Sequence, residues 1–234
     1  IKLILKIYFS NKLTMNYKNL FITQNSYYFV HRHFIKFFEM NDTEVIFVSE
    51  SKRGIKKKYF EIIKFFGIKN FISCVFYEIF YLFVFYRRKN LLNSFYVSDA
   101  NLNKFLESQI KKNKYKKIIS IGCPCLIKPR FNNYEFPIYN IHGGIIPFQK
   151  GRYSPLKALK KGEIYLGSTI HEINDNFDDG TILSQDFFEI RNNDKLKNYN
   201  MVLRKSSELM KKFIDEKYIR LPNEISLYFE KRYL

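Results

Sequence analysis

The sequence predicts an α/β fold: an open, mostly parallel Rossmann-like sheet with helices on both faces. Two observations carry that expectation. Asn19–Thr23 (NLFIT) and Glu44–Ser49 (EVIFVS) are short apolar runs, as buried strands are. Between them Tyr27–Met40 sets Val30, Phe34, Phe37 and Phe38 on one helical face, and strand, helix, strand in succession makes a parallel unit. A chain of 234 residues, 46% hydrophobic, is long enough to bury the core of one such domain.

The remaining elements follow in order. Residues 1–14 are apolar and basic, precede Met15, and lack a small-residue cleavage site. They are read as a segment upstream of a start at Met15 or as a tail, with a basic interfacial anchor as the alternative. Lys52–Lys58 reads as a basic, polar connection, and Tyr59–Phe66 as a helix stopped by Gly67. Phe71–Tyr86 is strongly apolar and aromatic, too short to span a bilayer comfortably and interrupted by Glu78. The expectation is a helix buried against the domain. A membrane-surface or partner-binding helix is the second reading, because Arg87-Arg88-Lys89 would reach lipid headgroups. Phe95–Val97, Lys117–Ile121, Pro137–His142, Leu166–Ile173 and Thr181–Ile190 are expected strands; Leu102–Lys112 and Leu196–Tyr218 are expected helices. Leu221–Leu234 is too short to be a domain. His31 and His33 are expected at the surface of the first helix.

Composition narrows the function classes. The net charge is +18, from 40 Lys and Arg against 22 Asp and Glu. A polyanion partner is one reading. Coding bias is the preferred one, since Lys, Asn, Ile, Phe and Tyr are enriched together and the lysines are dispersed. Three cysteines, Cys74, Cys123 and Cys125, neither make a disulfide scaffold nor have zinc spacing, which fits a reducing, cytoplasmic setting and no metal site. No G-x-G-x-x-G follows the first strand, so dinucleotide binding has no support.

The chemistry is concentrated in Asn140–Gln185. Asn140 and His142 end a strand, and strand alternation puts them on one face. Gly143, Gly144, Pro147 and Gly151 follow in a loop that brings backbone close to a ligand. Next come Gly167-Ser168-Thr169-Ile170-His171 and Asp178-Asp179-Gly180. These four elements, in this order and spacing, resemble the formyltransferase family: an Asn-x-His strand end, a Leu-Pro and Gly loop (here Ile146-Pro147), a Gly-x-Thr-x-His strand and an Asp-x-Gly turn. The resemblance covers about Asn16–Ile190 and is weaker upstream of Lys117. Two features depart from it: glycines where the family often has Ser and Leu after His142, and an apolar insertion over Phe66–Tyr86.

The resemblance implies a catalytic domain over residues 15–191 with a helical extension over 192–234. It implies transfer of a formyl group from 10-formyltetrahydrofolate to a small-molecule primary amine. Asn140, His142 and Asp178 would be catalytic, Gly122, Pro124, Cys125, Asp179 and Gly180 would bind the folate, and Gly143, Gly144, Pro147, Gly151, Thr169 and His171 the acceptor. On physical grounds Asn140 can donate to the oxygen where charge develops, as can a protonated His142. Asp178 is expected to raise the His142 pKa and to take the amine's proton. A nucleotide-linked amino sugar is preferred as acceptor over methionyl-tRNA, because little beyond a helix follows Ile190 to grip a nucleic acid, and over glycinamide ribonucleotide, because the Phe66–Tyr86 insertion fits that compact enzyme poorly. Two further readings stay open: a formyltetrahydrofolate deformylase, with water as acceptor, and an idle, membrane-associated binding protein.

Overall fold

The computed structural model describes residues 18–25, 32–88, 92–128 and 137–233. Among these, seven strands form one sheet: β1 (Lys18–Gln24), β2 (Thr43–Ser49), β3 (Ser94–Ser98), β4 (Tyr115–Ile121), β5 (Ile138–His142), β6 (Tyr165–Glu172) and β7 (Ile182–Glu189). Their order is β3-β2-β1-β4-β5-β6-β7. β1 to β5 are parallel and β6 runs against both its neighbours. The helices are α1 (Arg32–Phe38), α2 (Lys52–Arg88), α3 (Leu102–Lys112), α4 (Ser154–Lys160), α5 (Lys195–Ile214) and α6 (Asn223–Tyr233).

The apolar strands are continuous rather than alternating because both sheet faces are covered. On one face Phe21, Phe47, Ile119 and Ile141 pack with Phe34 and Phe38 of α1 and with Leu209, Met210 and Phe213 of α5. On the other, Leu20, Ile22, Ile46 and Ile118 pack with Leu102, Leu106 and Ile110 of α3. Phe21, Phe34, Phe38, Phe47 and Phe213 are fully buried, and each contributes ~2–3 kcal/mol through that burial. Lys117, a polar residue in β4, is accommodated at the end of α5. Its Nζ donates to the Phe213 carbonyl at 3.0 Å and lies 4.8 Å over the Phe213 ring, where a cation satisfies the helix's terminal oxygens.

The α/β class, all seven strands and the α3 boundaries agree with the sequence reading. Several details differ. Lys52–Lys58 is helical, the first two turns of α2, not a connection. Gly67 does stop a helix, with φ 79 and ψ 163, but a second helical arm begins directly after it. That arm is not buried against the domain: Ile72, Phe76, Ile79 and Phe83 are all more than 60% exposed. Its side chains protrude because only one side, around Cys74, meets the body. α5 ends at Ile214 rather than Tyr218, and α4 has no counterpart among the expected helices. His33 is half-buried, not at the surface, since the side of α1 that carries it packs on α5, where Ser207 Oγ donates to the His33 carbonyl at 2.8 Å. Residues 1–14, 27–31 (with His31) and Leu234 lie outside the described residues. No described helix is long and apolar enough to cross a membrane.

Candidate active site

Strand order decides where a ligand can sit. The chain passes from β1 to β2 on one side of the sheet and returns to β4 on the other, so the carboxyl ends of β1 and β4 border a crevice. A cavity of about 610 Å³ occupies that place. It is lined by Gln24 at the end of β1, by Ser120 to Ile127 at and after the end of β4, by Asn140 to Gly143 at the end of β5, by Gly151 to Pro155, and by Asp178. Ile62 and Phe66 of the first arm of α2 close one wall.

Asn140, His142 and Asp178 meet at this cavity. Asn140 and His142 are two apart on β5 and share its face, while Asp178 reaches them from the turn before β7. Asp178 takes a left-handed conformation, φ 51, which a short polar side chain tolerates. Its Oδ2 accepts the Gly151 N–H at 2.7 Å and stands 3.4 Å from His142 Nδ1; its Oδ1 is 3.7 Å from His171 Nε2. The Asn140 amide donates to His171 Nε2 at 3.1 Å, and His171 Nδ1 donates to the Glu172 carbonyl at 2.8 Å. One amide N–H of Asn140 is thereby used to fix its orientation, and the other remains for a ligand in the cavity.

His142 is held at its far side. Nε2 donates to the Gln149 carbonyl at 2.7 Å, with Ser154 Oγ as a second neighbour at 3.1 Å. Ser154 Oγ itself donates to the Gly143 carbonyl at 2.7 Å. The Nε2–H tautomer follows, with the Nδ1 lone pair turned toward Asp178. Burial lowers the His142 pKa, and Asp178 and the Gln149 carbonyl only partly oppose that. The expectation that Asp178 would keep the ring protonated is corrected here: at 8% exposure desolvation wins, and the resting ring is neutral. Burial also pushes the Asp178 carboxyl upward, but His171, His142 and the Gly151 N–H together hold it down to about 2.

The other residues named from sequence divide into two groups. Gly122, Pro124, Cys125, Gly143, Gly151 and His171 line the cavity with the central three. Cys123 and Cys125 place their sulfurs 3.9 Å apart on its wall and are unbridged. Gly144, Pro147, Thr169, Asp179 and Gly180 stand outside it. Thr169 is fully buried beneath the loop after β5, donating to the Gly144 carbonyl at 2.7 Å and accepting the Ile146 N–H at 3.2 Å. Gly144 has no room for a side chain, since a Cβ would fall 2.8 Å from His142 Nε2. A Cβ on Gly180 would fall 1.8 Å from the Glu172 carbonyl oxygen, so that glycine permits the turn to close on β6. Asp179 pairs with Lys150. These five shape the loops that carry the others.

Gln149 and Ser154 were missed by sequence reasoning. Gln149 is 4% exposed; its side chain accepts from the Ile145 N–H at 3.2 Å and donates to the Tyr165 carbonyl at 3.0 Å. It locks the loop so that its own carbonyl faces His142. The available signal was a polar residue two positions after Pro147, in a loop whose glycines are more conspicuous.

Comparison with known proteins gives one family. The family model described as "Formyl transferase" matches residues 83–213. A methionyl-tRNA formyltransferase of Kosmotoga olearia is 31% identical over 110 residues, covering 46% of this chain and 34% of that protein. The matched stretches span between 8% and 34% of the lengths of the curated relatives. Among solved structures, phosphoribosylglycinamide formyltransferase from Campylobacter jejuni superposes with a TM-score of 0.54 at 15% identity, covering 86% of this chain and 96% of that one. A sugar 3N-formyl transferase, determined in the presence of dTDP and 5-N-formyl-THF, superposes with a TM-score of 0.50 at 16% identity, covering 87% of this chain and 65% of that one. At such identities the two structures establish likeness of fold.

Proposed function

The chain belongs to the formyl transferase family, and on that premise we propose that it transfers a formyl group from 10-formyltetrahydrofolate to a primary amine. The observation that carries the proposal is the meeting of Asn140, His142 and Asp178 at the cavity, with Asp178 Oδ2 3.4 Å from His142 Nδ1. The cavity's wall after β4 includes Ile121, Pro124 and Ile127, apolar groups that suit a pterin ring. The folate supplies the activated formyl group.

Each residue has one task. As the amine attacks the formyl carbon, charge collects on the formyl oxygen, and the second N–H of Asn140 can donate to it. The attacking nitrogen must lose a proton. Neutral His142 can take it at Nδ1, and the imidazolium so formed stands beside the ionised Asp178. The same proton is then available to the folate nitrogen as its bond to the formyl carbon breaks. Gln149 and Ser154 hold the ring through Nε2, and His171 holds Asn140.

For the acceptor we favour an amino sugar linked to a nucleotide. The positive field of the chain suits a phosphate-bearing substrate, and the sugar 3N-formyl transferase that shares the fold was determined with dTDP. The test is release of tetrahydrofolate from 10-formyltetrahydrofolate with a panel of amines, in wild type and His142→Ala. Turnover that requires one amine and disappears in the variant supports the proposal. Turnover without any amine makes the protein a deformylase, and no folate binding by either protein refutes the reading.

A further inference from the structure

The outward face of α2 is unexplained by the fold or the cavity. After the kink at Gly67 the second arm carries Ile68, Ile72, Phe76, Ile79, Phe80 and Phe83, each between 52% and 69% exposed. At ~100° per residue these six fall in a stripe about 120° wide. The opposite side is the attached one: Cys74 is 4% exposed and packs with Ile62, Phe66 and Leu156. An apolar side of this arm therefore points away from the body. A monomer in water rarely carries so long an apolar row.

We propose that this stripe docks on the surface of an anionic lipid bilayer. A span is ruled out for this arm, since no described helix is long and apolar enough to cross a membrane. The stripe is rich in phenylalanine and isoleucine, the side chains that insert at the boundary between headgroups and acyl chains. Charge selects the occupant. From Ile68 to Arg88 the sequence holds Lys69, Arg87 and Arg88 against Glu78 alone, within a chain of net charge +18. A second copy would bring the same charge and repel; an anionic headgroup layer attracts it. The kink supports this geometry. At φ 79 Gly67 takes a conformation other residues resist, and it lets the first arm, with Ile62 and Phe66, stay on the cavity while the second turns outward. Docking would set the cavity close to the lipid surface.

The test is co-sedimentation of the full chain with phosphatidylglycerol-containing and with pure phosphatidylcholine vesicles, in low and high salt. Wild type should bind the anionic vesicles, weaken in high salt and ignore the neutral ones. Ile72→Gln combined with Phe76→Gln should lower the partition coefficient by roughly a hundredfold. If far-UV circular dichroism shows that pair unfolded, Ile68→Gln with Ile79→Gln replaces it. Failure to bind anionic vesicles, equal binding to both kinds, or an unaltered partition in the variant overturns the proposal. Sedimentation equilibrium supplies the other arm: a wild-type dimer that becomes monomeric in the variant would assign the stripe to a second copy instead.

Discussion

Asp178→Asn separates charge from shape at the centre of the site. Asparagine tolerates the left-handed φ of 51 and can still accept the Gly151 N–H, so the turn should persist. What is lost is the negative charge 3.4 Å from His142 Nδ1. For a fully formed imidazolium at that separation, Coulomb attraction at an effective dielectric of ~20 is about 5 kcal/mol. A proton half transferred in the transition state takes about half of that, so kcat should fall nearly a hundredfold, and up to a few thousandfold if transfer is complete. The assay is saturating turnover of 10-formyltetrahydrofolate with the cognate amine, alongside urea unfolding. The midpoint in urea should change little. A variant with kcat within threefold of wild type would refute the proton-transfer role, and one that lost activity only through unfolding would refute the claim that the turn survives.

The remaining predictions address the surroundings. Thr169→Val removes a hydroxyl bonded to Gly144 and Ile146 and should cost ~2 kcal/mol in urea unfolding with the acceptor KM unchanged; a raised KM at unchanged stability would return Thr169 to substrate binding. Gly180→Ala places a Cβ 1.8 Å from the Glu172 carbonyl oxygen and should lose ~3 kcal/mol or more, so a thermal midpoint equal to wild type contradicts the turn geometry. The active His142 is neutral with a pKa below its ordinary 6.5, so kcat/KM should fall only as pH drops beneath that value, and Asp178→Asn should move this acid limb to still lower pH. The same lowered pKa means that the folded state binds fewer protons than the unfolded one. Stability should therefore decline as pH falls below about 6.5, with a shallower slope in His142→Asn, measured by urea midpoints at pH 7 and 5.

How much of this was legible depends on whether the signal was local. Strands such as Glu44–Ser49 announce themselves because burial on both faces forces continuous apolar residues. Asn140 and His142 were readable because alternation places them together and the spacing to Asp178 is preserved. Thr169, by contrast, stands in a motif beside ligand-binding residues, and nothing local distinguishes a hydroxyl facing a cavity from one supporting a loop. The second arm of α2 departs from expectation for a related reason. Its composition suits a buried helix and an interfacial one equally, and only the packing of Cys74 with Ile62, Phe66 and Leu156 decides which side faces inward. Gly67 did carry its signal, but a glycine that ends one helix says nothing about whether another begins.

The protonation of His142 could not have been settled by inspecting pairs. From sequence, a carboxylate beside an imidazole argues for a charged ring. In the fold Asp178, which also faces His171 and accepts the Gly151 N–H, still favours the charged ring, but burial outweighs it. Meanwhile the ring is closed in by Ser154, Gly144 and the Gln149 carbonyl, which removes the water an imidazolium needs. Desolvation and the attraction of Asp178 both act on the charged ring, and desolvation is the larger, so the ring rests neutral. A ring neutral at rest and stabilised once charged is what a base needs when it must accept a proton from an amine during attack and surrender it to the leaving nitrogen. A permanently charged ring could polarise the formyl oxygen but could not accept that proton. Asn140, oriented by His171, is positioned for the first of these tasks, which leaves His142 available for the second.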